Sequence, residues 1–314
     1  MAQRNPAVAV VDTLLRGIGQ VMFQNNPLTG LLFLVGIFVN SLKFGGAALL
    51  GLAASTLAAH LLGADRTLIR NGLFGFNGVL VGIGLAFFLE FDVLLAVYIV
   101  LGAAVSTIVM MALINLLTPW DMPALTAPFV LTAWLLLFAV YQFDFLSPTE
   151  LIAPLAPDPA TVVQTELREL ATGAGGLTVA NLAHGFFRGV GEVMFQDNLV
   201  TGVIFLLAIL VNSRISAAFA AAGSAVALLT ALALGSDGVA IYHGLYGFNA
   251  VLCAIALGGL FFVLTTWLFL WPKAGFGALA PVALADVTTA ENIRASSRVR
   301  AAGPSATSEP GEAT

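Results

Sequence analysis

Charge is scarce in this chain. Only 9% of its 314 residues are Asp, Glu, Lys or Arg, where a soluble globular domain carries roughly 25%. So few charges exclude an ordinary water-soluble domain; the net charge of −5 itself says little, being spread over loops and tails, and no nucleic-acid partner is expected. Sulfur is scarcer still. The single cysteine, Cys253, rules out an intramolecular disulfide framework and a thiolate metal cluster within one chain. Set in an apolar run, Cys253 reads as a small packing residue. The three histidines, His60, His184 and His243, show no i, i+4 pairing, which argues against a zinc or haem site. No Walker loop, nucleophile elbow or metalloprotease motif occurs, so neither an enzyme nor a cofactor is expected. A cleavable signal is missing too: Arg4 precedes a mixed stretch holding Asp12 and Arg16. Insertion is therefore expected to use internal spans.

Hydrophobic residues, at 59%, are abundant. They predict an all-α polytopic membrane protein. Apolar runs in the first half fall at 28–41, 47–62, 73–89, 94–117 and 125–140. Several are shorter than the roughly 20 residues that cross a hydrocarbon core. Short segments broken by Gly and Pro predict discontinuous or re-entrant half-helices around a midplane site.

The chain also repeats itself. Gln20-Val-Met-Phe-Gln-Asn-Asn-Pro-Leu-Thr-Gly30 returns as Glu192-Val-Met-Phe-Gln-Asp-Asn-Leu-Val-Thr-Gly202, an offset of 172 (192 − 20). Gly72-Leu-Phe-Gly-Phe-Asn77 returns as Gly244-Leu-Tyr-Gly-Phe-Asn249, and Val39-Asn-Ser41 as Val211-Asn-Ser213, both in the same register. Five spans per unit is an odd number, so a duplicated unit enters the membrane in opposite orientations and the copies form inverted-topology repeats. The expected organisation is a first transmembrane repeat at 1–142, a linker at 143–183, a second, shortened repeat at 184–286 and a polar tail at 287–314. The linker holds Pro148, Pro154, Pro157 and Pro159, then Gly173-Ala-Gly-Gly176, and reads as a solvent-exposed connector. The tail reads as disordered, and its Arg294, Arg298 and Arg300 favour the cytoplasmic side.

These duplicated motifs, together with Pro123-Ala-Leu-Thr-Ala-Pro-Phe129, resemble the urea transporter family in its bacterial branch. The resemblance covers about 17–140 and 185–261. It implies passive, channel-like urea transport without ion coupling, through a pore in each protomer of a homotrimer, here expected in a bacterial inner membrane. Urea and similar small neutral amides would be the cargo and membrane lipid the surroundings. By position, the family's slot aromatics fall on Phe76 and Phe248, with Leu80 and Leu252 beside them. Its pore-mouth polar residues fall on Gln20 and Glu192, flanked by Val21, Phe23, Val193 and Phe195. The hydroxyl at its constriction falls on Thr126.

The residue types suit that cargo. Urea is flat and neutral, and offers four N–H donors and one acceptor. Facing aromatic rings make a flat slot whose π-faces accept weak N–H contacts. Glu192, acidic within an apolar context, should face a cavity or a partner, and Gln20, its repeat mate, is the expected partner. Thr126 lies between Pro123 and Pro128, which favour a broken helix. Gly72, Gly75, Gly78 and Gly82 allow either close helix packing or free pore-lining carbonyls.

The second unit departs from the first. Residues 262–270, Phe-Val-Leu-Thr-Thr-Trp-Leu-Phe-Leu, match 129–137 at an offset of only 133 (262 − 129). That leaves 39 residues without a counterpart (172 − 133), including the 94–117 span and the mate of Thr126. The fused run from Ala250 to Trp271 is long enough to cross as one helix. Two rival readings stay open: an ammonium or short-amide channel, and a non-conducting membrane protein.

Overall fold

The computed structural model describes residues 6–120, 122–140, 146–149, 178–236 and 238–270, with side chains up to Gly258 in the last helix. The tail at 287–314 and most of the linker lie outside the described residues. Every described element is helical apart from one isolated β-bridge. The first repeat contains α1 (Pro6–Gln20), α2 (Pro27–Asn40), α3 (Leu42–Leu61), α4 (Arg66–Arg70), α5 (Gly75–Phe88), α6 (Val93–Leu117) and α7 (Ala127–Val140). The second contains α8 (Val179–Gly191), α9 (Leu199–Asn212), α10 (Arg214–Ala233), α11 (Gly238–Tyr242) and α12 (Gly247–Leu270). Helix α8 begins at Val179, inside the stretch read from sequence as linker.

The duplication fixes the elements one by one. Adding 172 to the bounds of α2, α3 and α4 gives the bounds of α9, α10 and α11. The same local signals cause this. Asn26 caps α2 by accepting from Leu28 and Thr29 N–H, and Asn198 caps α9 by accepting from Thr201 N–H. Ser41 and Ser213 cap α3 and α10 in the same way. Ahead of α2 and α9 the chain breaks at a left-handed residue, Phe23 (φ 60°) or Phe195 (φ 59°). Left-handed Phe is uncommon, so its occurrence twice in register marks a constrained break. In the second repeat the break bends the chain by 72° between 179–194 and 199–212.

Among the fully described residues, three helices are long and apolar enough to cross a membrane alone: α3, α6 with its 3-10 extension to Trp120, and α10. Helices α5 and α7 have 14 residues each, about 21 Å, shorter than a hydrocarbon core of about 30 Å. They run parallel. Asn77 near the start of α5 accepts from Phe129 N–H at the start of α7, 3.1 Å. At the other end, Leu89 bridges Pro148, and Thr149 N–H donates to Phe88 O. Leu146–Thr149 therefore lies against the end of α5, with Leu146 buried and Ser147 and Pro148 exposed. Close packing explains the glycines: a Cβ on Gly78 would lie 2.3 Å from Gly51 O, and one on Gly82 2.2 Å from Ala47 O. Gly72 is needed for a second reason, its φ of +76°.

The repeats meet through α2 and α9. Thr29 Oγ1 donates to Ala208 O and Thr201 Oγ1 donates to Gly36 O, both at 2.9 Å. Asn40 Nδ2 donates to Gln196 Oε1, and Asn212 Nδ2 to Gln24 Oε1, at 2.9 and 2.7 Å. Phe33 meets its own repeat mate, Phe205, edge to face at 5.0 Å. Each contact is matched by its counterpart under exchange of the repeats, as a two-fold axis requires. The start of each helix touches the end of the other, so α2 and α9 are antiparallel.

Candidate functional site

Eight of the sequence-selected residues join one apolar cluster that spans both repeats. Val21, Phe76, Leu80 and Val193 are buried in it, and Phe23, Phe195, Phe248 and Leu252 pack against it. The Gly-aromatic-Gly-Phe-Asn segments place Phe76 and Phe248 one residue into α5 and α12. Phe76 is only 4% exposed, whereas Phe248 is half-buried. The two rings make no ring–ring contact with each other among the described residues. Phe195 has the richest aromatic surroundings, within 5.5 Å of Phe87 and 6.1 Å of Phe88 and Phe129. Phe87 and Phe88 carry no repeat signature, and Phe129 stands in the sequence only as part of the Pro123–Phe129 motif, so sequence reasoning selected none of the three.

The polar residues sit at the ends of α1 and α8. Gln20 is the last residue of α1, and Glu192 opens a 3-10 turn, Glu192–Met194, after α8. Both are buried, Glu192 at 9% exposure. The expected Gln20–Glu192 bond does not form. Gln20 Nε2 donates instead to Asn71 O at 2.9 Å, within its own repeat. The reason is geometric: the break after each helix faces the turn before α5 or α12 of the same repeat, not the other break.

Around Gln20 lie one ion pair and two asparagines. Arg16 pairs with Asp12 one helical turn earlier, 2.7 Å, and donates to Asn25 Oδ1, 2.8 Å. Asn25 Nδ2 in turn reaches Asn71 Oδ1 at 3.3 Å. Around Glu192 the same positions carry His184, Arg188, Asp197 and His243. Arg188 pairs with Asp197 at 3.0 Å and lies over the Tyr242 ring at 4.3 Å. His243 Nδ1 meets the other Asp197 oxygen at 2.5 Å. Sequence reading singled out Glu192 but not this cluster, whose members are far apart in the chain and come together only through the fold.

Thr126 lies half-buried in the non-helical turn before α7, beside Leu125 at φ 48°. Its carbonyl accepts from Val130 N–H, 3.1 Å. The helix break expected at Pro123–Pro128 is present: residues 122–126 are not helical, and α7 starts at Ala127. Asn77, fully buried, holds that start. Its repeat mate Asn249 is exposed. Cys253 is exposed as well, contrary to its reading as a packing residue. Its mate Val81 is fully buried, and Gly102 of α6 approaches it closely; α12 has no such helix beside it among the described residues.

A family model for urea transporters matches residues 11–294. The chain belongs to the urea transporter family. Among curated relatives, "Urea transporter 1" of Rattus norvegicus is 36% identical over 258 residues, covering 81% of this chain and 64% of that protein. "Urea transporter 1" of Ovis aries is 36% identical over 262 residues, covering 82% and 65%. This urea transporter family member thus spans about two thirds of its relatives' length, 64% for the rat protein. Its motifs and its apolar helices make it an integral membrane protein of that family.

Proposed function

We propose that this chain provides a passive, channel-like path for urea, one path in each protomer of a homotrimer in a bacterial inner membrane. The observation that carries this reading is the convergence of repeat-related pairs on one cluster: Phe76 with Phe248, Leu80 with Leu252, Val21 with Val193 and Phe23 with Phe195. Buried polar residues, Gln20 and Glu192, end the helices beside it. Apolar walls with sparse acceptors replace part of a neutral amide's hydration without trapping it. Thr126, on the turn that opens α7, supplies a hydroxyl from the first repeat alone. The antiparallel pairing of α2 and α9 favours inverted repeats, with the two-fold axis in the membrane plane.

The test is urea flux into proteoliposomes, with methylammonium uptake as the control. Urea flux without methylammonium uptake is expected. Methylammonium uptake would favour the ammonium reading instead. A second reading, reduced or absent conduction, is favoured by the continuous helix α12 and the exposed Asn249. An unbroken helix offers no free carbonyl ends to a permeant. Absence of flux from a folded oligomer would select it.

A further inference from the structure

The two mouths of the proposed path differ in one hydrogen bond. At the first, Gln20 has an amide N–H and gives it to the main-chain oxygen of Asn71. At the second, the equivalent bond would run from Glu192 to the main-chain oxygen of His243. An ionised carboxylate has no proton to give. No hydrogen bond or ion pair reaches the Glu192 carboxylate among the described residues.

The neighbourhood is rebuilt around that difference. His184 stands where Asp12 stands in the first repeat, so Arg188 loses its partner one turn back, and its Nε is buried without a hydrogen bond. Arg188 is drawn instead to Asp197, which also holds His243. This pair of contacts fixes the 243 segment against the end of α8. The charged groups acting on Glu192 are Asp197 of the break and Arg188 of α8; Tyr242 and His243, after α11, contact Arg188, and His184 of α8 stacks on Tyr242. Helix α5 carries no titratable side chain, and the described part of α12 carries only Cys253.

We propose that Asp197 and His243 are positioning residues for Glu192: they hold the main-chain oxygen of His243 where a protonated Glu192 docks on it, as Gln20 docks on Asn71, and an ionised Glu192 stays free to accept urea N–H. The inference rests on the urea reading. One mouth is then proton-sensitive and the other is not. Asp197 sets a negative charge and Arg188 a positive one in the surroundings of Glu192. In acid, the path exchanges a charge-assisted acceptor for a neutral one, which is about half as strong.

Urea flux in proteoliposomes is measured from about pH 8 to about pH 5, the range in which histidine and perturbed carboxyls titrate. The parent is expected to lose about fivefold towards acid, since a charge-assisted contact is weakened to a neutral one. Glu192→Gln should be flat with pH, at the parent's acid level. Asp197→Asn should move the midpoint to lower pH, a shift that a purely structural role for Asp197 would not produce. Flux that is substantial but independent of pH in the parent overturns the inference and leaves the urea reading intact. Glu192→Gln titrating like the parent overturns it too. Absence of flux at every pH overturns the urea reading instead. The inference is then decided by infrared difference spectra of the purified protein. A carboxylic-acid band that appears on acidification and is missing from Glu192→Gln supports it, and no such band overturns it.

Discussion

Helix α5 and the first half of α12 are copies of one segment with opposite surroundings. Every residue from Gly75 to Ala86 in α5 is buried. In α12, Asn249, Cys253 and Leu257 are exposed. Leu257 is 58% exposed, and its mate Leu85 is 0%. The difference is the 39-residue gap. In the first repeat, α6 crosses back beside α5, and α7 comes to lie parallel to it. In the second, the α7-like sequence 262–270 is stacked end to end behind the α5-like sequence, in one 24-residue helix. Because α5 and α7 are parallel, fusing them leaves the direction of the outgoing chain unchanged. The loss of one crossing therefore leaves the 262–270 segment running in the direction that α7 takes within its own repeat. It removes the covering layer and the capped helix start that Asn77 supports.

The largest expected effect comes from restoring that layer. Inserting a copy of residues 90–128 between Phe261 and Phe262 gives the second repeat its missing crossing and a second broken helix. Urea flux in proteoliposomes should rise at least about tenfold, the scale of one lost hydrogen bond to a charged group. Cys253 should at the same time become protected from N-ethylmaleimide. Equal flux before and after the insertion would remove the gap from the account of the path.

Next comes the aromatic pair. Phe76→Ala empties a buried site and should cost about 3–5 kcal/mol of stability, whereas Phe248→Ala, half-buried, should cost clearly less. Thermal unfolding in detergent measures the gap between them. Burial of Phe76 should also lower the yield of folded Phe76→Ala below that of Phe248→Ala. Where folded protein is recovered, both should admit larger ureas, and retained selectivity in both would dismiss the slot. At the mouths, Glu192→Gln should conduct better than Glu192→Leu, because the amide keeps an acceptor whose loss costs about 1–3 kcal/mol. Equal flux in the two would place Glu192 outside the path.

A smaller effect separates the asparagines. Asn77→Ala leaves Phe129 N–H without its acceptor and should cost about 1–2 kcal/mol, while Asn249→Ala should stay within about 0.5 kcal/mol. Chemical unfolding of the two variants checks this. Equal costs would mean that Asn249 has a partner of its own.

The smallest effect is at Asp65, which caps α4 and accepts from Thr67 and Leu68 N–H. Those two backbone bonds, Leu68 first, hold its carboxyl below the ordinary value of 3.8. A depressed folded pKa gives stability that is present above the unfolded value and lost as pH falls through the folded one. Acid unfolding should therefore weaken the parent more than Asp65→Asn below about pH 4. Identical acid profiles would show that this cap adds nothing.

The sequence by itself determined the helices and their register. Apolar runs, the caps Asn26, Asn198, Ser41 and Ser213, and the 172-residue offset are local or repeated signals, and a helix needs little more to begin and end. It also determined which residues share a cluster, because duplicated motifs mark equivalent places in two folded copies. The tertiary structure alone decided who touches whom. Gln20 binds Asn71 rather than Glu192, Asp197 gathers Arg188 and His243, and Cys253 is bared while Val81 is covered. Those outcomes depend on segments distant in the chain, or missing from it. A side chain carries its own hydrogen-bonding capacity and apolar area in its formula, but its partner is set by the elements that pack beside it.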